Sequence, residues 1–415
     1  MDDTVRRPAK GADSTSAADA VATLTAGRLV LLASLGALGA LATNIMLPAF
    51  AAMARDLAVA PRDLAWTLSS FFIVFAVGQL FVGPLADTLG RAPFVIGGLV
   101  VFAAGGVICA VAPSLTVLIA GRVIQALGAC ATSVLARAIA RDCFQGPELT
   151  RTLALVMIAM AAAPGFSPAL GTAMTLLFGW RSIFVLVAVA AVLVAFHYRL
   201  SLGETLPPDR RRSARPSAIA RTYGELALDP RFIFPALTVS LVIGCLYGFF
   251  GAAPAILMNG MGISSTGLSI FFAATVLVVF GSGLMAGRLA RRWGAPRVGM
   301  AGVLIAMAGG LWLFLQAGAP TPAPFMAAVT LFLGGMGLIN PIGTAIALEP
   351  FGDRAGGASA LLGFMQMTFA ALGTGMIGAL PIGPATAYAW MVLGGTMIAA
   401  AAFVPVLLQR VGKVA

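Results

Sequence analysis

The chain has 415 residues, of which 60% are hydrophobic and only 10% are charged. Soluble globular domains are about 45–50% apolar and about 25% charged, so this composition excludes a soluble fold, which would expose large apolar patches. The net charge of +11 does not indicate a nucleic-acid partner, because the basic residues lie in short segments between apolar runs. The composition therefore predicts a protein embedded in a lipid bilayer.

The apolar runs predict twelve membrane-spanning helices, since about 20 apolar residues are needed to cross a bilayer. In chain order the predicted spans are 29–51, 64–84, 94–112, 115–136, 153–177, 181–197, 232–256, 266–287, 298–316, 324–347, 356–380 and 386–408. The fold class is thus an all-α membrane protein with two six-helix bundles. The predicted division of the chain is a tail at 1–28, a first bundle at 29–197, a linker at 198–231, a second bundle at 232–408 and a tail at 409–415.

The basic residues predict how the chain is oriented. With both termini in the cytoplasm, 22 of the 26 lysines and arginines lie in cytoplasmic segments, including the linker 198–231. Positively charged loops stay on the cytoplasmic side, so this orientation is strongly favoured over its inverse. A cleaved signal sequence at 29–51 is disfavoured because the segment is too long for a signal-peptide core.

In the first and fourth spans, polar residues interrupt the apolar runs. A charge such as Arg122 inside a span costs roughly 2.5–3.5 kcal/mol, and such residues usually face a cavity or a partner. Asn44 and Arg122 each lie about seven residues from the outer ends of their spans, so at about 1.5 Å per residue they could meet. Gln125 is one helical step further in on the same face as Arg122. We expect these residues in a substrate cavity; the alternative is a structural arginine bonded to backbone carbonyls.

A glycine-containing motif follows the second span and includes Gly83, Asp87, Gly90 and Arg91. We predict that it forms the loop to the third span, in which Asp87 pairs with Arg91 or faces a helix N-terminus. A degenerate copy at 287–294 follows the eighth span at an offset of 204 residues, about half the chain. The repeat favours a conformational latch over an ordinary charged turn, and it predicts two related bundles with a site at their interface.

The fifth span contains two prolines, each of which removes a backbone hydrogen bond and permits a bend. Together with neighbouring glycines they define a candidate gating element of Pro164, Gly165, Pro168 and Gly171. The pattern is equally typical of a static kink.

Further candidate cavity residues come from spans two, seven and eleven: Gln79, Tyr247, Phe364 and Met367. Aromatic and methionine side chains adapt to apolar molecules of different shape, and a site of this kind needs few polar groups.

The sequence gives little support for a catalytic or metal-binding function. The four cysteines, Cys109, Cys130, Cys143 and Cys245, lie in or beside apolar runs without a CxxC pair, so they are interpreted as buried hydrophobic residues rather than metal ligands or a disulfide framework. The chain contains no GxxxxGK[ST] motif for an ATP-driven pump and no nucleophile–base pair for an enzyme. We therefore expect neither catalysis, nor a metal, nor a cofactor.

Several short motifs share one pattern with a known family. They are LP at 47–48, FAVGQL at 75–80, GPLADTLG at 83–90, GRVIQALG at 121–128, RAIARD at 137–142, AP at 163–164, PALG at 168–171 and GETL at 203–206. The chain resembles the major facilitator superfamily, and within it the bicyclomycin-resistance (Bcr/CflA-type) drug exporters, from about residue 29 onward.

The resemblance implies a monomeric exporter of the bacterial inner membrane. Its expected partners are a small-molecule substrate, the lipid bilayer and protons, with alternating access and proton antiport moving small, partly apolar compounds outward. In the matching family pattern the arginine at position 122 is a functional residue. The alternative is an exporter or facilitator of a single neutral or anionic metabolite, such as an amino acid, without proton coupling.

One departure from the family pattern concerns the coupling ion. The family carries an aspartate just before the Leu-Pro element, whereas this chain has Asn44, and none of its 15 acidic residues lies in the middle of a predicted span. An amide cannot bind and release a proton, so proton coupling at this position is not expected. A cavity with Arg122 and no carboxylate is expected to reject permanent cations and to prefer neutral or anionic compounds.

Overall fold

The computed structural model describes residues 25–211 and 216–411, and within these ranges it contains helices but no strand. The α-helices of the described chain are α1 (Ala26–Asn44), α2 (Phe50–Asp56), α3 (Ala65–Leu89), α4 (Arg91–Ala110), α5 (Leu115–Cys143), α6 (Gly146–Phe178), α7 (Arg181–Ser201), α8 (Pro216–Leu228), α9 (Pro230–Ala253), α10 (Ser265–Trp293), α11 (Ala295–Leu315), α12 (Pro322–Leu348), α13 (Ala355–Ala379) and α14 (Pro384–Val411). Most of the predicted tails 1–28 and 409–415, and linker residues 212–215, lie outside the described ranges.

Twelve helical segments of the described chain are long and apolar enough to cross a membrane, and each overlaps one predicted span. The first span comprises α1 and α2, the next five are α3 to α7, and the last six are α9 to α14. The helices extend beyond the predicted apolar windows, because a helix continues through polar residues at the membrane surface. The predicted fold class is confirmed.

The two halves of the described chain pack their helices in the same order. Helix α4 packs on α5 and α7, as α11 packs on α12 and α14. Small residues permit the closest approaches at equivalent places: a Cβ at Gly128 would collide with the Gly98 carbonyl of α4, and one at Gly335 with the Gly302 carbonyl of α11. The internal repeat seen in the sequence is therefore also visible in the packing.

Helix α3 packs on α13, and α6 packs on α10, so these two pairs join the two halves. We call the side of the molecule that holds the α3–α4 turn and α8 the terminal face, and the opposite side the distal face. The first span is interrupted near the distal face, where Leu47–Ala49 form a single 3-10 turn between α1 and α2. Pro48 accounts for the interruption because it has no backbone N–H to continue the α-helical hydrogen bonds.

The predicted linker 198–231 contains the helix α8, which packs beside α9 and α13. The Tyr223 hydroxyl of α8 donates a hydrogen bond of 3.1 Å to the Leu80 carbonyl of the first half. On its other side, Glu225 pairs with Arg354 at 2.5 Å, just before α13 of the second half. Helix α8 thus contacts both halves at the terminal face.

Candidate functional site

A central cavity of about 330 Å³ lies between the two halves. Helices α1, α3, α5 and α6 of the first half and α9, α12 and α13 of the second supply its walls. Its apolar lining includes Phe71, Phe72, Phe75, Met157, Met160, Tyr247 and Met367. Its polar lining includes Thr43, Gln79, Ser133, Arg137, Asn340, Thr344, Ser359 and Gln366. This volume lies in the range typical of small-molecule sites.

Contacts between the two halves close the cavity toward the distal face. The rings of Phe72 and Tyr247 stand 4.5 Å apart between centroids, across α3 and α9. The buried Ser69 hydroxyl donates a hydrogen bond of 2.6 Å to the Ala371 carbonyl of α13. A buried hydrogen bond across the interface stabilises this closed arrangement by roughly 0.5–1.5 kcal/mol.

A second set of distal contacts joins α6 and α10. The hydroxyls of Thr172 and Ser269 lie 2.9 Å apart in a buried hydrogen bond. Together with the α3–α13 contacts, this bond forms what we call the distal seal: Ser69, Phe72, Thr172, Tyr247, Ser269 and Ala371.

The predicted gating element lies on α6, which the structure describes as one continuous helix through both prolines. Its two glycines are sites of close approach: Gly165 faces Val276 of α10, and a Cβ at Gly171 would overlap the Ile45 carbonyl at the break in the first span. Pro164 directly precedes the first of these glycines and Pro168 lies between them, and the two prolines leave two carbonyls of α6 without their usual helical partners.

Toward the terminal face the cavity continues into an outer space of about 360 Å³, which we call the vestibule. Gln79, Arg137 and Ser359 line both spaces, so the two are contiguous. Asp87, Arg91 and residues of α8 line the vestibule as well. In this conformation the central cavity is therefore approached from the terminal face.

The motif around Asp87 is not a loop, contrary to the sequence-based prediction. Gly83 and Asp87 belong to α3, which runs to Leu89, and Gly90 alone turns the chain into α4 with a φ of 105°. Glycine adopts this angle without the steric penalty of a side chain. Two transmembrane helices are thus joined by one residue.

The predicted pair of Asp87 and Arg91 is part of a larger charge cluster. Arg91 contacts Asp87 at 2.5 Å and Asp142, at the end of α5, at 2.9 Å. The Arg91 side chain is only 8% exposed, against 18% for Asp142 and 48% for Asp87. The cluster therefore ties α3, α4 and α5 together at the terminal face.

Glu204, which was not predicted as a site residue, completes this cluster. Its carboxylate accepts hydrogen bonds from the backbone N–H groups of Arg91 at 2.9 Å and Ala92 at 3.3 Å, at the start of α4. Partial burial tends to raise the pKa of Glu204, but backbone hydrogen bonds from Leu206, Arg91 and Ala92 outweigh it and hold the pKa below its usual value. The sequence signal was an acid just after Gly203, within the motif at 203–206.

The second copy of the motif keeps the turn but loses the charge cluster. Gly294, at the end of α10, has a φ of 86° and is followed at once by α11. Arg291 stands at the position equivalent to Asp87, and its side chain is exposed. The glycine turn between two helices is therefore repeated in the second half, whereas the carboxylate at the position of Asp87 occurs only in the first copy of the motif.

Arg122 is completely buried, but it does not line the central cavity. One guanidinium nitrogen, Nη1, donates to the Ala42 carbonyl at 3.2 Å and to Gln125 Oε1 at 2.5 Å, and the guanidinium carbon lies 4.3 Å from the centroid of the Phe71 ring. Phe71 lines the cavity and stands between it and Arg122. Nε and Nη2 of Arg122 have no hydrogen-bond partner in the described chain.

Asn44 is also fully buried and is not bonded to Arg122. Its Nδ2 group donates to the Ala40 carbonyl at 2.8 Å and to Thr43 Oγ1 at 3.3 Å. The predicted meeting of spans one and four takes place through the backbone of Ala42 instead.

Among the other predicted cavity residues, Gln79, Tyr247 and Met367 line the central cavity, while Phe364 packs against the hydrophobic core and is not part of the lining. Arg137 lines it as well; it is one of the 22 basic residues that the sequence places in cytoplasmic segments, at the end of the fourth span. The four cysteines have free thiols, and the described residues contain no cluster of three or more His, Cys, Asp or Glu that could hold a metal.

Two six-helix halves around a central cavity define the architecture of a polytopic membrane transporter. The sequence model of the Major Facilitator Superfamily matches residues 32–374, and the chain belongs to that family.

Curated relatives extend over nearly the whole chain. An uncharacterized MFS-type transporter, YdgK, of Bacillus subtilis is 30% identical over 92% of this chain and 96% of its own length. Multidrug resistance protein D of Escherichia coli is 29% identical over 85% and 87%. A bicyclomycin resistance protein homolog of Haemophilus influenzae is 27% identical over 84% and 86%. The resemblance to the bicyclomycin-resistance type of exporter is confirmed.

Solved structures show the same fold at low sequence identity. The human organic anion transporter MFSD10 superposes with a TM-score of 0.66 at 16% identity, covering 92% of this chain and all of the other. A POT family transporter in complex with 5-aminolevulinic acid gives a TM-score of 0.70 at 11% identity, covering 92% and 95%.

Proposed function

We propose that this protein is a secondary active exporter of small, partly apolar compounds that works by alternating access. The observation that carries the proposal is a mostly apolar cavity between the two halves, closed by the distal seal and contiguous with a vestibule on the terminal face. Relatives named for multidrug and bicyclomycin resistance support drugs or toxic metabolites as the cargo. A transporter has to open the opposite side to release its cargo, so the distal seal must break in each cycle.

A reversible cross-link across the distal seal tests this cycle. The hydroxyls of Thr172 and Ser269 lie 2.9 Å apart, so cysteines at both positions are within reach of a disulfide. In a Cys143→Ser background, the oxidised double variant Thr172→Cys/Ser269→Cys should lose efflux from proteoliposomes of the compound of a drug panel that the wild type transports best, and a reductant should restore it.

Each single-cysteine variant, treated with the same oxidant, is the control and should keep its transport. Undiminished flux from a fully cross-linked double variant would contradict alternating access through this seal. Absence of flux for every compound of a drug panel in the wild type would contradict the export function itself.

We also propose that the terminal face lies in the cytoplasm. The basic residues concentrated at the ends of helices on this face support that orientation through the positive-inside rule. A reporter that is active only outside the cytoplasm, fused after Arg212, should give no signal. A strong signal would reverse this orientation and place the open vestibule outside the cytoplasm.

Two versions of the proposed function differ in whether proton movement drives transport. The family implies proton antiport, and Asp87 and Asp142 are acids that line the vestibule. The second candidate is an uncoupled exporter or facilitator of a neutral or anionic metabolite. It is favoured by the buried amide of Asn44 and by the lack of an acid among the described residues that line the central cavity. Flux measured with and without an imposed pH gradient distinguishes them.

A further inference from the structure

Arg137 is the cationic group of the central cavity. It lies on α5 and lines both the cavity and the vestibule, and its side chain is partly buried. Within the described chain its guanidinium makes no ion pair or hydrogen bond, whereas Arg91 is held by two carboxylates and Arg354 by Glu225. A guanidinium carries five N–H donors, so Arg137 retains its full capacity to bind an anion.

Two polar side chains beside Arg137 are also available for binding. Ser133 is one helical turn before Arg137 on α5, and Gln79 of α3 lines the same cavity and vestibule as Arg137; Ser133 and Gln79 are only 4% and 6% exposed. Both line the cavity, and neither side chain forms a hydrogen bond within the described protein. Buried polar groups normally have a partner, so a hydroxyl and an amide without one, beside a free guanidinium, indicate a binding site.

The rest of the cavity is suited to an apolar body. Phe71 and Gln79 are eight residues apart on α3, so the aromatic part of the cavity lies roughly 12 Å from its polar part at about 1.5 Å per residue. Aromatic and methionine side chains supply seven of the residues that line the cavity. The arrangement matches an amphipathic molecule whose apolar body lies toward the distal seal and whose charged group lies toward the vestibule.

The charges around the cavity decide the sign of that group. Arg137 is the one charged residue among those lining the central cavity in the described chain. Asp87 and Asp142, the acids that line the vestibule in the described chain, are already paired with Arg91. Arg122 cannot serve instead, because the Phe71 ring covers it. A cation placed here would meet an unpaired guanidinium in a poorly hydrated space, whereas an anion would gain charge-assisted hydrogen bonds.

We propose that Arg137, assisted by Gln79 and Ser133, binds the carboxylate, sulfonate or phosphate of an organic anion. Amphipathic organic anions are therefore a substrate class of this protein. The inference rests on the proposed transport function for its physiological meaning, but binding itself can be measured without transport.

Three probes with one aromatic body isolate the effect of charge: 2-naphthoate, 2-naphthamide and 2-naphthyltrimethylammonium. Their affinities for the full-length protein in detergent can be measured by isothermal titration calorimetry. The wild type should bind the carboxylate at least about tenfold more tightly than the amide, as expected for a hydrogen bond to a charged group, and should bind the ammonium most weakly.

Variants of two neighbouring arginines assign the preference to one residue. Arg137→Gln should bring the carboxylate-to-amide affinity ratio close to one, and Arg137→Lys should keep part of it, because an ammonium retains the charge but not the two-pronged geometry. Arg141→Gln is the matched control: Arg141 is one turn further along α5, is exposed and lines only the vestibule, so the ratio should not change.

Several results would overturn the proposal. These are equal binding of carboxylate and amide by the wild type, an unchanged ratio in Arg137→Gln, tight binding of the ammonium, or no binding of 2-naphthoate. Amide binding by Arg137→Gln at wild-type strength shows that this variant is folded. If Arg137→Gln no longer binds the amide, the carboxylate-to-amide affinity ratio of Arg137→Lys decides instead. If the probes bind as expected but no compound crosses a proteoliposome membrane, the proposed export function fails while the anion site stands.

Discussion

The charge cluster around Arg91 allows a latch to be distinguished from a merely structural ion pair. Arg91 is held by Asp142, whose side chain is 18% exposed, and by Asp87, whose side chain is 48% exposed. A hydrogen bond to a charged group in a partly buried site contributes about 1.5–3 kcal/mol, but an exposed ion pair contributes only about 0.2–1 kcal/mol. Asp142→Asn should therefore lower the free energy of unfolding by about 2 kcal/mol and Asp87→Asn by about 0.5 kcal/mol.

The effect of Asp87→Asn on transport should be large although its effect on stability is small. We expect Asp87→Asn to reduce flux at least severalfold despite its small effect on stability, because Asp87 lies on α3, the helix that packs against the second half. Unfolding in mixed micelles with increasing SDS measures the stability of each variant, and proteoliposome flux measures its transport. The matched control is Arg291→Gln, the exposed counterpart in the second copy, which should change stability by less than about 0.5 kcal/mol and leave most of the flux.

The decisive comparison is between the two aspartates. If Asp87→Asn transports as well as the wild type, the latch hypothesis is wrong, and the cluster only holds three helices together. If Asp142→Asn is as stable as the wild type, the energetic reasoning from burial is wrong instead.

Three further predictions concern packing, pH and coupling. Gly171→Val should destabilise the protein by more than about 3 kcal/mol, because its side chain would overlap the Ile45 carbonyl, whereas Gly281→Ala, with open space around it, should not; SDS unfolding compares the two. Glu204 has a lowered pKa in the folded state, so its ionised carboxylate stabilises the fold at pH values above the usual carboxyl pKa. This stabilisation is lost as the pH falls through the lowered pKa, so the difference in free energy of unfolding between wild type and Glu204→Gln should shrink between about pH 7 and about pH 3. Asn44→Asp should introduce or strengthen a dependence of flux on an imposed pH gradient, because a carboxyl in this buried position can bind and release a proton; unchanged gradient dependence would contradict this.

The spans could be predicted from the sequence because membrane thickness sets their length and every residue contributes locally to their hydropathy. The same local reasoning failed at the helix ends. The motif that contains Asp87 contains polar residues and glycines, and it was therefore predicted to be a loop, yet α3 continues to Leu89 and a single glycine makes the turn. Helix propagation needs only backbone hydrogen bonds, and these do not stop where the apolar run stops.

The residues that line the cavity were harder to predict, because side chains from other helices can separate a residue from the cavity. The depth of Arg122 in the membrane followed from counting residues, but the Phe71 ring that separates it from the cavity did not. Arg137 was counted with the basic residues of the cytoplasmic segments because it follows the apolar run of the fourth span, although α5 extends seven residues beyond that predicted span and carries Arg137 along the cavity wall. Tertiary packing, rather than periodicity, selects which of the two arginines can meet a substrate.

The surroundings of Arg122 bear on how transport could be coupled to protons. A buried guanidinium beside a carboxylate could exchange its partner when that carboxylate is protonated. Here Arg122 is bonded to the Ala42 carbonyl and to Gln125, which cannot titrate. We therefore expect a proton that drives this transporter to bind an acid of the terminal face, such as Asp87, Asp142 or Glu349. Protonation of Asp87 would remove its ion pair with Arg91, so coupling and latch release would be one event. On this reasoning a wild-type flux that depends on the pH gradient should lose that dependence in Asp87→Asn and keep it in Arg291→Gln. A dependence that survives in Asp87→Asn would move the coupling to Asp142 or Glu349 and separate it from the latch.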